Sequence, residues 1–131
     1  MNAKQIKILV VDDNPDTLEM LQRKLKSRDY VSYTAPDVDS ATKLLAHTAI
    51  DIILTDFKMP KFTGLDLIRH VQAQYPLIRV IMITGYPTIE GAVEAVKVGA
   101  QGYLSKPFTD EELFQAINEA RQTQERTPQL L

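Results

Sequence analysis

The chain has 131 residues, enough for one compact domain with little room for a second. Its formal net charge of −2 supplies no basic field for nucleic acid or an anionic membrane, and the absence of cysteine excludes disulfides and thiolate metal sites. At 44% hydrophobic and 24% charged, with no apolar run near the roughly 18 residues of a membrane span, it reads as soluble and cytoplasmic, touching neither nucleic acid nor membrane directly.

Short β-rich runs alternate five times with segments of helical period. The first run, Ile6–Val11, stops at Asp12-Asp13. Asn14-Pro15 then offers a cap and a first-turn proline, and Leu18, Leu21 and Leu25 mark one helical face. Tyr30–Thr34 forms a second run, after which Asp37 caps a helix with Ala41, Leu44 and Leu45 inward. The third run, Asp51–Thr55, leads into Asp56-Phe57-Lys58-Met59-Pro60, and a helix with Leu67, Ile68 and Val71 on its apolar face follows Thr63-Gly64. Ile78–Ile83 is the fourth run and ends in Thr84-Gly85. The next helix starts near Thr88, is expected to bury Val93 and Val96, and stops at Gly99. Gln101–Ser105 precedes Lys106-Pro107, and Thr109 with Glu112 forms a capping box ahead of Leu113, Ala116, Ile117 and Ala120. From Gln122 to Leu131 the helical period is lost, so residues 1–121 are expected to form the domain and 122–131 a tail or the start of a linker. His47 and His70 are placed in the second and third helices, as surface residues.

Strands nearly continuous in Val, Ile and Leu suit a parallel sheet covered on both faces, and the alternation predicts an α/β, doubly wound fold. In such sheets ligands bind outside the carboxyl ends of the strands. Asp12-Asp13, Asp56, Thr84 and Lys106 fall at the ends of four different strands, while the second contributes only Thr34-Ala35-Pro36. Each piece alone has an ordinary explanation: a carboxylate facing a helix dipole, a threonine cap, a Lys-Pro turn. Coincidence must account for all four together.

Two carboxylates ~5 Å apart repel by ~3 kcal/mol at an effective dielectric of roughly 20, so the group needs a proton or a cation. Hard oxygen donors without histidine or cysteine point to Mg²⁺. An aspartate beside such an ion, with a lysine balancing charge, is equipped to attack phosphorus.

Val10-Val11-Asp12-Asp13, Asp56 to Pro60, Thr84-Gly85, and Gly99-Ala100 through Lys106-Pro107-Phe108 together resemble the signature of response-regulator receiver domains, over about Ile6 to Arg121. The resemblance implies a flavodoxin-like five-stranded parallel sheet of order 2-1-3-4-5 with five helices. It implies that Asp56 accepts a phosphoryl group from a histidine kinase or histidine phosphotransfer protein. Asp13, Asp56 and the backbone carbonyl of Lys58 would then bind Mg²⁺ directly, and Asp12 through water. By the same likeness Thr84 and Lys106 meet the phosphoryl group, Tyr103 is the switching aromatic, the bond before Pro107 is cis, and Lys58 and Tyr86 tune phosphate lifetime. The expected result is a signalling switch and not an enzyme, beyond self-directed phosphoryl transfer and autodephosphorylation. Its helix 4–strand 5–helix 5 surface would change to control an output domain or effector, with a phosphorylation-dependent homodimer as a further expectation. The segments around Asp56 and Ala92–Phe108 look most like receivers of nitrogen-regulatory-type transcription factors. No output module is legible, which suits a single-domain regulator or a piece of a longer one.

Two rival readings are weaker. A haloacid-dehalogenase-like phosphatase needs its nucleophile on the first strand and a second aspartate two residues later, where this chain has Asn14. A receiver that signals without phosphate usually lacks an acidic or lysine position, and none is missing here.

Overall fold

A computed structural model describes residues 5–125 of the chain. In order these form β1 (Lys7–Val11), α1 (Pro15–Lys26), β2 (Val31–Ala35), α2 (Val38–Leu45), β3 (Ile52–Asp56), α3 (Gly64–Gln74), β4 (Arg79–Thr84), α4 (Ile89–Val98), β5 (Gly102–Ser105) and α5 (Asp110–Glu125). The sheet has the order β2-β1-β3-β4-β5 with every neighbouring pair parallel; the strand pattern predicts the parallel sheet and the family resemblance its order.

Alternation of side chains along each strand splits the core in two. Leu9, Val11, Ile53, Val80 and Met82 pack with Ala41, Leu67, Ile68 and Ala95 from α2, α3 and α4. Ile8, Val10, Ile52, Leu54 and Ile81 pack with Leu21, Leu25, Leu113 and Ile117 from α1 and α5. A fully buried side chain of this size contributes about 1.5–3 kcal/mol, which holds each helix to the sheet despite its polar outer face.

The helix caps follow the sequence. Asn14 accepts from the Asp16 and Thr17 N–H groups, Asp37 from Ser40, Thr63 from Asp66 and Thr88 from Gly91. Thr109 and Glu112 close a reciprocal capping box ahead of α5. Gly99 ends α4 at φ 116, a conformation that side-chain-bearing residues rarely adopt.

Three expectations need correction. Val93 and Val96 are not buried: they are 48% and 63% exposed, and Ala95 is the buried residue of α4. The larger residues recur at Ile89, Val93 and Val96, but the sheet takes the small side of the helix, where alanine permits close approach. His47 lies in the turn after α2 rather than within it, and is exposed. The third correction concerns α5, which continues through Gln122 to Glu125, so the expected tail begins inside a helix; its remaining residues, 126–131, lie outside the described ones. Gln122, Gln124 and Glu125 are good helix formers, and backbone hydrogen bonding extends without an apolar face.

Candidate functional site

Strand register brings the functional side chains to one edge. Val11 pairs with Ala35 and Thr55, Asp56 with Ile83, and Thr84 with Ser105, so the chain ends of β1, β3, β4 and β5 lie side by side. Asp56 and Thr84 are the last residues of β3 and β4 rather than the first beyond them. Their backbones are therefore held in the sheet, which fixes the side chains more tightly than a loop could.

Asp12, Asp13 and Asp56 each present a carboxylate oxygen within 4.8 Å of the others. Asp12 is only 4% exposed. Its Oδ1 accepts the Asn14 N–H at 2.9 Å, and its Oδ2 lies 3.2 Å from the Lys106 ammonium. Asp13 is exposed. Asp56 Oδ1 accepts the Phe57 N–H at 2.9 Å and stands 3.7 Å from Lys106 Nζ. Burial pushes the Asp56 carboxyl above its ordinary value; Lys106 opposes this, Asp12 adds to it, the Phe57 N–H opposes it and Asp13 adds a little more. One ammonium is thus shared by two of the three carboxylates.

Thr84 is buried, and its Oγ1 accepts the Tyr86 N–H at 3.1 Å. Above it, the exposed Lys58 holds its ammonium 5.3 Å from the Tyr86 ring centroid, a cation–π contact across the mouth of the site. Tyr103 is half-buried, packs with the α2–α3–α4 side of the core, and pairs in the sheet with Met82, two residues before Thr84. The Lys106–Pro107 peptide is cis. Asp12, Asp13, Asp56, Thr84 and Lys106 are therefore brought together and Lys58 and Tyr86 flank them, while Tyr103 lies two strand pairings back, opposite Met82.

Two features were not singled out from sequence. Gly64 donates its N–H to the Phe57 carbonyl at 2.8 Å and lies directly under the Asp56 backbone. Lys61 takes a left-handed φ of 72 in the loop that follows Asp56. A glycine at the first turn of α3, just beyond that loop, was the available signal for Gly64. Nothing in the residue type marked Lys61.

Of the residues noted without a role, His70 lies tilted against Tyr75 with ring centroids 6.1 Å apart, and Tyr30 stacks on Phe114 at 6.3 Å. Both pairs are remote from the carboxylates in sequence and serve packing. The described residues hold no other group of three His, Cys, Asp or Glu side chains placed to share a metal ion, and no helix among them is long and apolar enough to cross a membrane.

The profile of the response regulator receiver domain matches residues 8–118. The chain is 40% identical to the response regulator protein PilR of Pseudomonas aeruginosa over 101 residues, covering 77% of this chain and 23% of that protein. It spans about a quarter of the length of the curated relatives it matches. Among solved structures, the signal receiver domain of an HD domain-containing protein from Pseudomonas fluorescens superimposes with a TM-score of 0.89 at 31% identity, covering 95% of this chain and 100% of that one. The beryllofluoride-activated NtrC4 receiver domain dimer gives a TM-score of 0.86 at 31% identity, with 90% and 98% covered. The match over residues 8–118 shows that the chain belongs to the response-regulator receiver family, whose members are phosphorylation-activated signalling switches.

Proposed function

We propose that Asp56 is the phosphoacceptor. One carboxylate oxygen attacks the phosphorus of a phosphohistidine on a sensor kinase or histidine phosphotransfer protein. The P–N bond breaks as the P–O bond forms, and the imidazole leaves with the electron pair. The observation that carries this is the convergence of three carboxylates, one buried hydroxyl and one ammonium at four strand ends.

The donor set fits Mg²⁺: three carboxylates close enough to share one hard cation, which holds oxygens at about 2.1 Å. Asp13, Asp56 and the Lys58 backbone carbonyl would hold it, with Asp12 acting through water. When bound it supplies positive charge opposite the phosphoryl oxygens. The remaining work falls to the chain. Lys106 turns from Asp12 and Asp56 toward the new phosphoryl charge, and the Thr84 O–H donates to a phosphoryl oxygen. Tyr103 follows into the space Thr84 vacates. Lys58 and Tyr86, joined across the mouth, control how readily water reaches the acyl phosphate and so its lifetime, including any autodephosphorylation.

The moving surface is that of α4, β5 and α5, and it would act on an output domain or effector outside this chain. Residues 1–121 are read as the receiver and 122–131 as a tail or linker start, of which residues 122–125 form the helical end of α5. Likeness to the NtrC4 receiver dimer supports a nitrogen-regulatory-type assignment and a phosphorylation-dependent homodimer.

The test is chemical and needs no kinase. A small acyl-phosphate donor with Mg²⁺ should add one phosphoryl mass to the intact protein, and Asp56→Asn or chelation of the metal should abolish it. Equal modification of Asp56→Asn would place the acceptor elsewhere. A wild type never modified would favour a phosphate-independent receiver.

A further inference from the structure

Helix α4 carries a glycine in its first turn, where glycine is the least favourable residue short of proline. The backbone of Gly91 needs no left-handed conformation, so chain geometry does not require it there. What requires it is its neighbourhood. A Cβ on Gly91 would stand 3.3 Å from the Tyr103 hydroxyl and 2.9 Å from Thr88 Oγ1, the oxygen that caps the helix by accepting the Gly91 N–H. The missing side chain is thus a notch facing β5, and the Tyr103 hydroxyl rests against it.

The geometry points to Gly91 as a positioning residue for the switch: its notch holds Tyr103 in the resting state and ties that ring to the first turn of α4. The inference rests on the reading of Asp56 and Tyr103 given above and adds the element against which Tyr103 is poised. Departure of the ring frees the notch and removes a contact from the start of α4. The exposed face of that same helix carries Ile89, Val93 and Val96. Motion of one aromatic ring is thereby converted into motion of a helix end. Filling the notch presses on the Thr88 cap wherever the ring lies but crowds the ring only in its resting position, so it biases the equilibrium toward the switched state.

In the wild-type protein, nuclear Overhauser contacts between the Gly91 α-protons and the Tyr103 ring should be present without ligand and weaken when the phosphoryl mimic beryllofluoride is added with Mg²⁺. Gly91→Ala should move the fluorine resonance of 3-fluorotyrosine at position 103, identified by its loss in Tyr103→Phe, before any mimic is added. It should also lower the beryllofluoride concentration for half-conversion by about threefold. In a Tyr103→Phe background, which lacks the hydroxyl that the new methyl meets, that shift in midpoint should largely vanish; a merely structural role for Gly91 would leave it intact. Absence of the Gly91–Tyr103 contact in the resting protein overturns the inference even if Gly91→Ala fails to fold. So does an unchanged or raised midpoint in a folded variant. If acyl phosphate modifies Asp56 normally and these signals do not move, this inference alone falls. If Asp56 is never modified, the underlying reading falls and takes it along.

Discussion

Gly64 lies so close beneath the backbone carbonyl of Asp56 that a Cβ on it would stand 2.5 Å from the oxygen. The same Cβ would be 2.9 Å from Met82 Sδ, so β4 closes the space on the other side. Neither neighbour yields easily, since one is strand backbone and the other is fully buried. Gly64→Ala should therefore lose about 1–3 kcal/mol of stability by overpacking, and it should slow phosphorylation by displacing the end of β3. Denaturant unfolding measures the first effect and intact mass against time the second. A variant within ~0.5 kcal/mol of wild type would show that the loop relaxes freely and that the contact positions nothing.

The fold was legible because its strands are almost uninterrupted Val, Ile and Leu, each ending abruptly at a polar residue. That punctuation placed Asp12, Asp56, Thr84 and Lys106 at strand ends, and the sheet brought the ends together. Gly64 and Gly91 were not legible as functional positions. Their meaning lies in distances to Asp56 and Tyr103, set by tertiary packing, and a glycine at a helix start reads the same whether it meets solvent or a neighbour. Val93 and Val96 misled because apolar size suggested burial, whereas helix approach to the sheet selected alanine. The sharing of Lys106 between Asp12 and Asp56 was likewise beyond sequence, since charge types give no distances.

Asp56→Asn also makes a prediction about stability in the absence of metal. Burial, only partly opposed by Lys106, raises the folded carboxyl above its ordinary value. The folded protein thus holds this proton more tightly than the unfolded chain. The stability it contributes is full below the unfolded pKa and is lost as pH rises through the folded one. Asparagine cannot ionise, so the variant should gain on wild type as pH climbs from about 4 toward 7. Parallel melting curves across that range check the sign. A variant whose advantage shrinks with rising pH would mean that Asp56 is stabilised in its charged form.

Asp13 separates charge repulsion from metal binding, since it is exposed and belongs to the acidic group without meeting Lys106. Without Mg²⁺, Asp13→Ala should be at least as stable as wild type, with a gain of up to about 1 kcal/mol for an exposed charge. Added Mg²⁺ should stabilise wild type by about 2.7 kcal/mol at a hundredfold excess over its dissociation constant, and the variant far less. Thermal shift with a magnesium titration provides both values. A clearly destabilised metal-free variant would recast Asp13 as a structural cap.

Lys106 serves two carboxylates, and its removal should separate stability from signalling. Asp12 is nearly inaccessible, so losing the ammonium 3.2 Å away leaves its charge with the Asn14 N–H as the nearest compensation. Breaking a fully buried pair costs about 3–5 kcal/mol, but Lys106 is itself 30% exposed and partly screened. A loss of about 1–2 kcal/mol is therefore expected for Lys106→Ala in metal-free solution. Mg²⁺ should narrow that gap, because it replaces the missing positive charge among the same oxygens. Modification of Asp56 by a small acyl phosphate should persist, since Lys106 supplies no metal-ligating oxygen and the nucleophile is intact. The Tyr103 resonance should then respond only weakly to the phosphoryl group, because one of the two groups proposed to turn toward the phosphoryl charge, Lys106 and Thr84, is gone. A Lys106→Ala protein that keeps full metal-free stability and moves Tyr103 as far as wild type would leave the lysine a bystander, with the path from Asp56 to Tyr103 running through Thr84 alone.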